Sequence, residues 1–245
     1  YYYYLKTMKK VVHLSSTRGN ANYGWLEANY SFSFANYYDP NRLQFGLLRV
    51  LNDDIVAPAM GFGRHPHQNM EIVTIPQSGA VKHKDSMGNE GIVAAGDIQV
   101  MSAGSGVERS EINASAKEAL KLFQSWVFPE EQNVAPRYDQ KKIAALLTPN
   151  KISTVVKPKN EAQENELWIH QQAYFNLGEF TEDRSTNYTL NQQGHGIYLM
   201  VIEGQVSVDD EILKNRDAIG IWDTNEISIT VKKGTRLLLI EVPMN

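Results

Sequence analysis

Short β-branched runs broken by turn signals recur along most of the chain, and that spacing leaves few folds open. Gly46 to Asp54 reads as a strand ending in a polar turn, and Glu71 to Pro76 as a second. Pro76 predicts a strand end or an edge, because proline has no N–H to donate to a ladder. Ala80 to Asp85 alternates, Ser86 to Gly91 turns the chain into Ile92-Val93, and Ala95-Gly96-Asp97 turns it again before Ile98 to Met101. Lys121 to Phe128 reads as a buried strand closed by Pro129. Strands this short and this closely spaced predict an all-β sandwich or barrel. A hydrophobic content of 42% is ample for its core.

Residues 129 to 165 differ. They hold Pro129, Pro136, Pro149 and Pro158, several charges, and one short helix expected over Asp139 to Leu147. Strands resume at Leu167 to His170, Gly196 to Ile202, Gln205 to Val208, Ile227 to Val231 and Arg236 to Val242. Gly204 follows its strand as Gly79 does in the first half, and Asp217 to Trp222 echoes Gly96 to Met101. The echo predicts two barrels of one type: residues 8–130, a connector over 131–165, and residues 166–245. Tyr1 to Thr7 look foreign ahead of Met8-Lys9-Lys10 and are set aside, with a start expected at Met8.

The chemistry concentrates in Arg64-His65-Pro66-His67-Gln68-Asn69-Met70-Glu71. On a strand, residues two apart share a face and stand roughly 6.6 Å apart. His65 and His67 therefore aim two imidazoles at one point, and imidazole is the commonest protein ligand of transition metals. About forty residues on, Gly106-Val107-Glu108-Arg109-Ser110-Glu111-Ile112-Asn113 again places two residues, Arg109 and Glu111, on one strand face, with Glu108 on the other. The two segments resemble the two cupin motifs. The first, His-x-His followed after three residues by Glu, is met by His65, His67 and Glu71. The second, Gly-x-x-His followed after three residues by Asn, is met by Gly106 and Asn113, with Arg109 where the histidine belongs.

With His83 to Asn89, Gly96 to Gly106, Ser110-Glu111, Tyr23-Gly24-Trp25 and Phe32 to Pro40, the chain resembles the pirin family of bicupins over roughly residues 11 to 130. The C-terminal half matches only in general pattern. The resemblance implies two tandem cupin β-barrels of the jelly-roll, double-stranded β-helix type. It implies one metal in the N-terminal barrel; the degenerate C-terminal half carries no His-x-His and is expected to hold none. Family members hold that metal with three histidines and a glutamate. Carried over, the ligands are His65, His67 and Glu111, and the third histidine falls on Arg109. Glu71 belongs to the general cupin motif and is not usually a pirin ligand. Members of the family have been assigned quercetin dioxygenase activity, others act as iron-binding transcriptional co-regulators, and some bacterial relatives lack the metal.

Arginine stays protonated and has no lone pair to give a cation. Two outcomes follow. If Arg109 turns away, His65, His67 and Glu111 form a 2-His-1-carboxylate triad of the kind that holds non-heme iron. The chain is then a metal-dependent dioxygenase of quercetinase type, acting on a small aromatic or flavonol substrate with one divalent Fe, Ni, Cu or similar metal, and Glu111 serves as base. If Arg109 points inward, it pairs with Glu111 or Glu71 and its charge replaces the metal. The chain is then a non-catalytic binding or regulatory protein for a small ligand or partner, or a metal-free pocket enzyme or sensor.

Other residues carry weaker expectations. His83 and Asp85 share a face, either as a pair behind the ligands or as a solvated hairpin face. His170 and His195 are expected to be structural or surface residues. Trp25, Tyr23, Tyr37 and Tyr38 should pack or make turn contacts, and Met60 and Phe62 should line the barrel core or a pocket wall. The net charge of -4, with no basic stripe, argues against a direct nucleic-acid partner. No apolar run reaches membrane-spanning length. The absence of cysteine removes disulfides. With no signal-peptide pattern, the expectation is a cytoplasmic monomer with a small-molecule ligand, and the sequons at Asn29, Asn113 and Asn187 are chance matches.

Overall fold

A computed structural model of the protein describes residues 7–245. The reading of the first residues as foreign falls, for Tyr1 to Lys6, outside the described residues. Among the described residues eleven strands form up to Val127: β1 (Lys9–His13), β2 (Gly19–Asn22), β3 (Leu26–Tyr30), β4 (Leu48–Val56), β5 (Gly61–His67), β6 (Glu71–Ser78), β7 (Ala80–Asp85), β8 (Glu90–Ala94), β9 (Asp97–Ser102), β10 (Val107–Asn113) and β11 (Leu120–Val127). Eleven follow: β12 (Arg137–Lys142), β13 (Ile152–Pro158), β14 (Trp168–Ile169), β15 (Tyr174–Glu179), β16 (Arg184–Thr189), β17 (His195–Glu203), β18 (Val206–Val208), β19 (Glu211–Leu213), β20 (Ala218–Trp222), β21 (Glu226–Val231) and β22 (Arg236–Pro243). The helices among the described residues are single 3-10 turns, Ser15–Thr17 and Ile143–Ala145.

Each half pairs a seven-stranded sheet with a four-stranded one. The first barrel has the orders β12-β9-β6-β11-β4-β3-β2 and β5-β10-β7-β8. The second has β1-β20-β17-β22-β15-β13-β14 and β16-β21-β18-β19. Position by position β9, β6, β11 and β4 correspond to β20, β17, β22 and β15, and β5, β10, β7, β8 to β16, β21, β18, β19. This is the two-fold jelly-roll, cupin architecture that the internal echo predicts. Gly79 and Gly204 mark the same corner, with φ of +83° and +102°. At Gly204 a Cβ would come within 2.6 Å of Thr235 Cα, so the corner admits only glycine.

The two seven-stranded sheets pack on each other through one apolar layer, which includes Phe32, Leu48, Val73, Val100 and Phe123 from the first and Phe175, Tyr198, Met200, Leu238 and Ile240 from the second. Each such side chain contributes about 1.5–3 kcal/mol on burial. The halves also share strands. β1 pairs with β20 in the second barrel, Val12 opposite Ile219, while β12 pairs with β9 in the first, Gln140 opposite Gln99.

Three local expectations are corrected. The helix expected over Asp139 to Leu147 is the end of β12 followed by one 3-10 turn, because the segment finds a ladder on β9. The segment expected to be a connector thereby supplies β12 to one barrel and β13 to the other. Pro76 lies inside β6, an interior strand; the β9 ladder has ended at Thr74, and pairing with β11 shifts between Lys121 and Leu122, so its missing N–H interrupts no regular ladder.

Candidate functional site

His65 and His67 stand on β5 and Arg109 and Glu111 on β10, in antiparallel register with Arg109 opposite His65 and Val107 opposite His67. The register shifts before Glu111, which faces Phe62, so three β5 residues span what two span on β10. This bulge lets Phe62 and His65, of opposite parity, both turn to the barrel interior; their rings are 6.4 Å apart. The histidine pair that the spacing predicts does form, with ring centroids 4.6 Å apart and edge to face. His67 also meets Trp126 edge-on at 5.3 Å.

Arg109 points inward and is 0% exposed. Its Nη2 and Nε donate to Glu111 Oε1 at 2.5 and 3.1 Å, and its Nη1 to Gln99 Oε1 and Met101 Sδ, both at 3.4 Å. Gln124 Nε2 donates to both Glu111 oxygens, at 3.2 and 3.4 Å, and Trp126 Nε1 in turn donates to Gln124 Oε1. Burial alone would raise the Glu111 carboxyl, but the Arg109 charge and hydrogen bonds hold it below the usual carboxylate range. His67 is pushed down to about 4, first by burial and then by Arg109 and His65, so it is a neutral base at ordinary pH. His65 directs Nδ1 to the Gly63 carbonyl at 2.6 Å. The carbonyl only accepts, so Nδ1 carries the proton.

The floor of the barrel is a polar row that sequence reading missed. Asn52, Gln124, Thr74 and Gln99 are successive cross-strand neighbours over β4, β11, β6 and β9. Asn52 Oδ1, Thr74 Oγ1 and Gln99 Nε2 are buried without partners, as are Asp54 Oδ1, His67 Nε2 and His83 Nδ1. Burial, then Asp53 and Glu111, push Asp54 up to about 8. Beyond the row, His83 Nε2 and the Tyr138 hydroxyl meet at 3.1 Å. His83 and Asp85 are both buried, which rules out the solvated-face reading. They do not pair: Asp85 caps the β7–β8 turn, accepting from Met87 N and from Asn89 N and Nδ2.

Glu71 is not part of this cluster, so of the two carboxylates open to an inward Arg109 it is Glu111 that pairs with it. It is 0% exposed and faces the other half, accepting from Ser102 Oγ at 2.8 Å and from the backbone N–H of His170 at 2.5 Å. Burial pushes it up to about 7. Trp25 packs edge-on against Phe62 at 5.3 Å and Tyr37 stacks on Tyr30 at 6.3 Å, whereas Tyr23, Tyr38 and Met60 are exposed. Met60 is therefore neither core nor pocket wall. His195 and His170 are buried, and His195 belongs to a separate ionic cluster in the second barrel.

The residues do not fit a pirin metal. The guanidinium occupies the position of the third histidine and has claimed the carboxylate. At about 4 Å and an effective dielectric near 20 it would repel a dication by on the order of 8 kcal/mol. Among the described residues, no three His, Asp or Glu side chains converge as a metal-holding group. Nor is any helix of the described residues long and apolar enough to cross a membrane.

Two family models match the chain: Pirin over residues 11–127 and the quercetinase C-terminal cupin domain over residues 155–242. The quercetin 2,3-dioxygenase of Escherichia coli K12 is 38% identical over 229 residues, covering 94% of this chain and 96% of that protein. A pirin-like protein of Caulobacter vibrioides is 39% identical, covering 91% and 95%. The crystal structure of the Escherichia coli bacterial pirin YhhW in complex with nickel(II) superposes with a TM-score of 0.89 at 36% identity, covering 96% of this chain and 99% of that one. Sequence and fold agree across both barrels, and the chain belongs to the pirin family of bicupins.

Proposed function

We propose that this chain is a metal-free pirin whose N-terminal barrel binds a small molecule without oxygenating it. One observation carries the reading: Arg109 is sealed inside the barrel and donates twice to Glu111, the carboxylate a metal would need. A fixed cation in place of an exchangeable one neutralises the Glu111 carboxylate and removes the open coordination positions of the site. What remains at the barrel mouth is a depression of about 310 Å³ with His67, Gln68, Ser86, Ser105 and Glu108 in its lining. His67, a neutral buried base, suits a small aromatic ligand with a hydrogen to donate, and the net charge of -4 makes nucleic acid a poor partner. The opposing reading takes its support from the relatives named quercetin 2,3-dioxygenase and from the nickel-bound neighbour. It needs Arg109 to vacate the ligand face so that His65, His67 and Glu111 hold the metal and Glu111 acts as base.

Elemental mass spectrometry of protein purified without chelator, beside an Arg109→His variant, separates the two. Wild type should carry no stoichiometric transition metal, and the variant should fill to about one per chain, since four donors then converge. A wild-type protein holding about one metal per chain would sink the proposal and make oxygen uptake with a flavonol the next assay.

A further inference from the structure

The second barrel has no metal motif, yet its mouth holds an ionic cluster. Glu241, on β22 opposite Tyr174 and Ile197, is 0% exposed. Its carboxylate accepts from the Tyr188 hydroxyl at 2.7 Å, from Asn191 N at 2.9 and 3.1 Å and Asn191 Nδ2 at 3.0 Å, and from His195 Nδ1 at 2.7 Å. A carboxylate with that many donors stays ionised: burial pushes it up, but the bonds from His195, Tyr188 and Asn191 outweigh burial and hold it low. An ionised carboxylate only accepts, so His195 carries a proton on Nδ1 and turns Nε2 the other way.

Among the described residues, that other side is open. His195 lines a cavity of about 410 Å³ between the turn before β17 and the turn joining β20 to β21, with Gln193, Gly194, Asp223, Thr224 and Asn225. No described residue bonds His195 Nε2, and this nitrogen is not among the buried atoms left without a partner. The exposed amides of Gln193 and Asn225 flank it. A histidine serving only to neutralise Glu241 would gain nothing from an accessible Nε2. A histidine oriented by a buried carboxylate, with its second nitrogen facing a cavity, is the arrangement of an oriented base.

We infer that the mouth of the second barrel is a ligand site for a small, weakly acidic hydroxyl compound, a phenol or an enol, whose proton His195 accepts. The ligand O–H bond breaks, an Nε2–H bond forms, and the resulting oxyanion pairs with the imidazolium; Glu241 stays ionised throughout. The charge balance selects the class. The site already bears the Glu241 carboxylate, and Asp223 lies across the cavity in an ion pair with Lys9 at 3.2 Å. A preformed anion is therefore disfavoured, whereas a neutral hydroxyl brings no net charge. The other titratable groups facing His195 are Tyr188, bonded to Glu241, and Tyr174, whose ring lies 6.4 Å away and whose hydroxyl donates to Glu161.

Para-nitrophenol tests this, because its visible absorbance reports its ionisation. At a pH just below its ordinary ionisation, adding the full-length protein should raise the phenolate band to a saturating plateau. His195→Gln, which still offers Glu241 an N–H, should abolish that gain and weaken binding about tenfold or more. No gain with wild type, or a gain that survives His195→Gln, would overturn the inference. Should that variant misfold, wild-type protein treated with diethyl pyrocarbonate gives the answer by peptide mapping. His195 should be carbethoxylated and para-nitrophenol should protect it; an inert His195, or protection confined to His65 and His67, refutes the site.

Discussion

The two barrels share a strand order and differ in what fills them. At matching places on the sheet floor, the first carries Asn52, Thr74 and Gln124, whereas the second carries Asn176, Leu199 and Leu239. The first encloses an ion pair and several unpartnered polar atoms. The second encloses a continuous aliphatic core that includes Ile197, Leu199, Val201, Ile219, Ile229 and Leu239, and confines its charges to the mouth. One topology thus tolerates both a polar and an oily interior. The architecture must be held by backbone ladders and by the apolar layer between the large sheets, which leaves the first interior free to carry chemistry at a cost in stability.

The sharpest break of that comparison is at Arg109. Arg109→Ala leaves Glu111 charged and buried and should cost about 3–5 kcal/mol in urea unfolding, while Arg109→Met combined with Glu111→Leu, which makes the first interior resemble the second, should recover most of it. An unchanged midpoint in the single variant would show that the pair is solvated. In the second barrel, Leu239→Ala should cost about 2–5 kcal/mol by opening a cavity; a cost below that range would mean the aliphatic interior is loosely packed.

Asp54 makes the comparison pH-dependent. Its folded value is raised to about 8 against an ordinary value near 4, so its stabilising contribution is fully present below about pH 4 and is lost as the pH rises to about 8. Asp54→Asn should abolish this loss and stand on the order of 2 kcal/mol above wild type at alkaline pH. Parallel stability curves for the two proteins across that window would refute the burial of its charge. The smallest effect belongs to Thr74, whose buried hydroxyl has no partner: Thr74→Val should raise stability by about 1 kcal/mol, and a loss of stability would reveal an ordered water bonded there.

The strand segments, the repeat and the facing of His65, His67, Arg109 and Glu111 were legible because period-two parity is a local property. Other features were not. The bulge that turns Phe62 and His65 to the same side depends on the register between β5 and β10. Helical propensity over Asp139 to Leu147 lost to a ladder partner far away in sequence. Glu71 matched a motif by spacing, but the side it faces is set by the packing of the two halves. Asn52, Thr74, Gln99 and Gln124 come from four strands and line up only once the sheet is assembled. His195 and Glu241 lie 46 residues apart and meet only through the pairing of β17 with β22.

The exchange of edge strands sets a schedule for the growing chain. β1 is made before every other described strand, and its partner β20 only after β2 to β19. Until the chain has been made past Trp222, the early strand has no ladder and the interior strand β20 no neighbour on that side. The second barrel therefore cannot finish folding as an independent C-terminal piece, and a nascent chain halted between the barrels presents an unpaired strand to its surroundings.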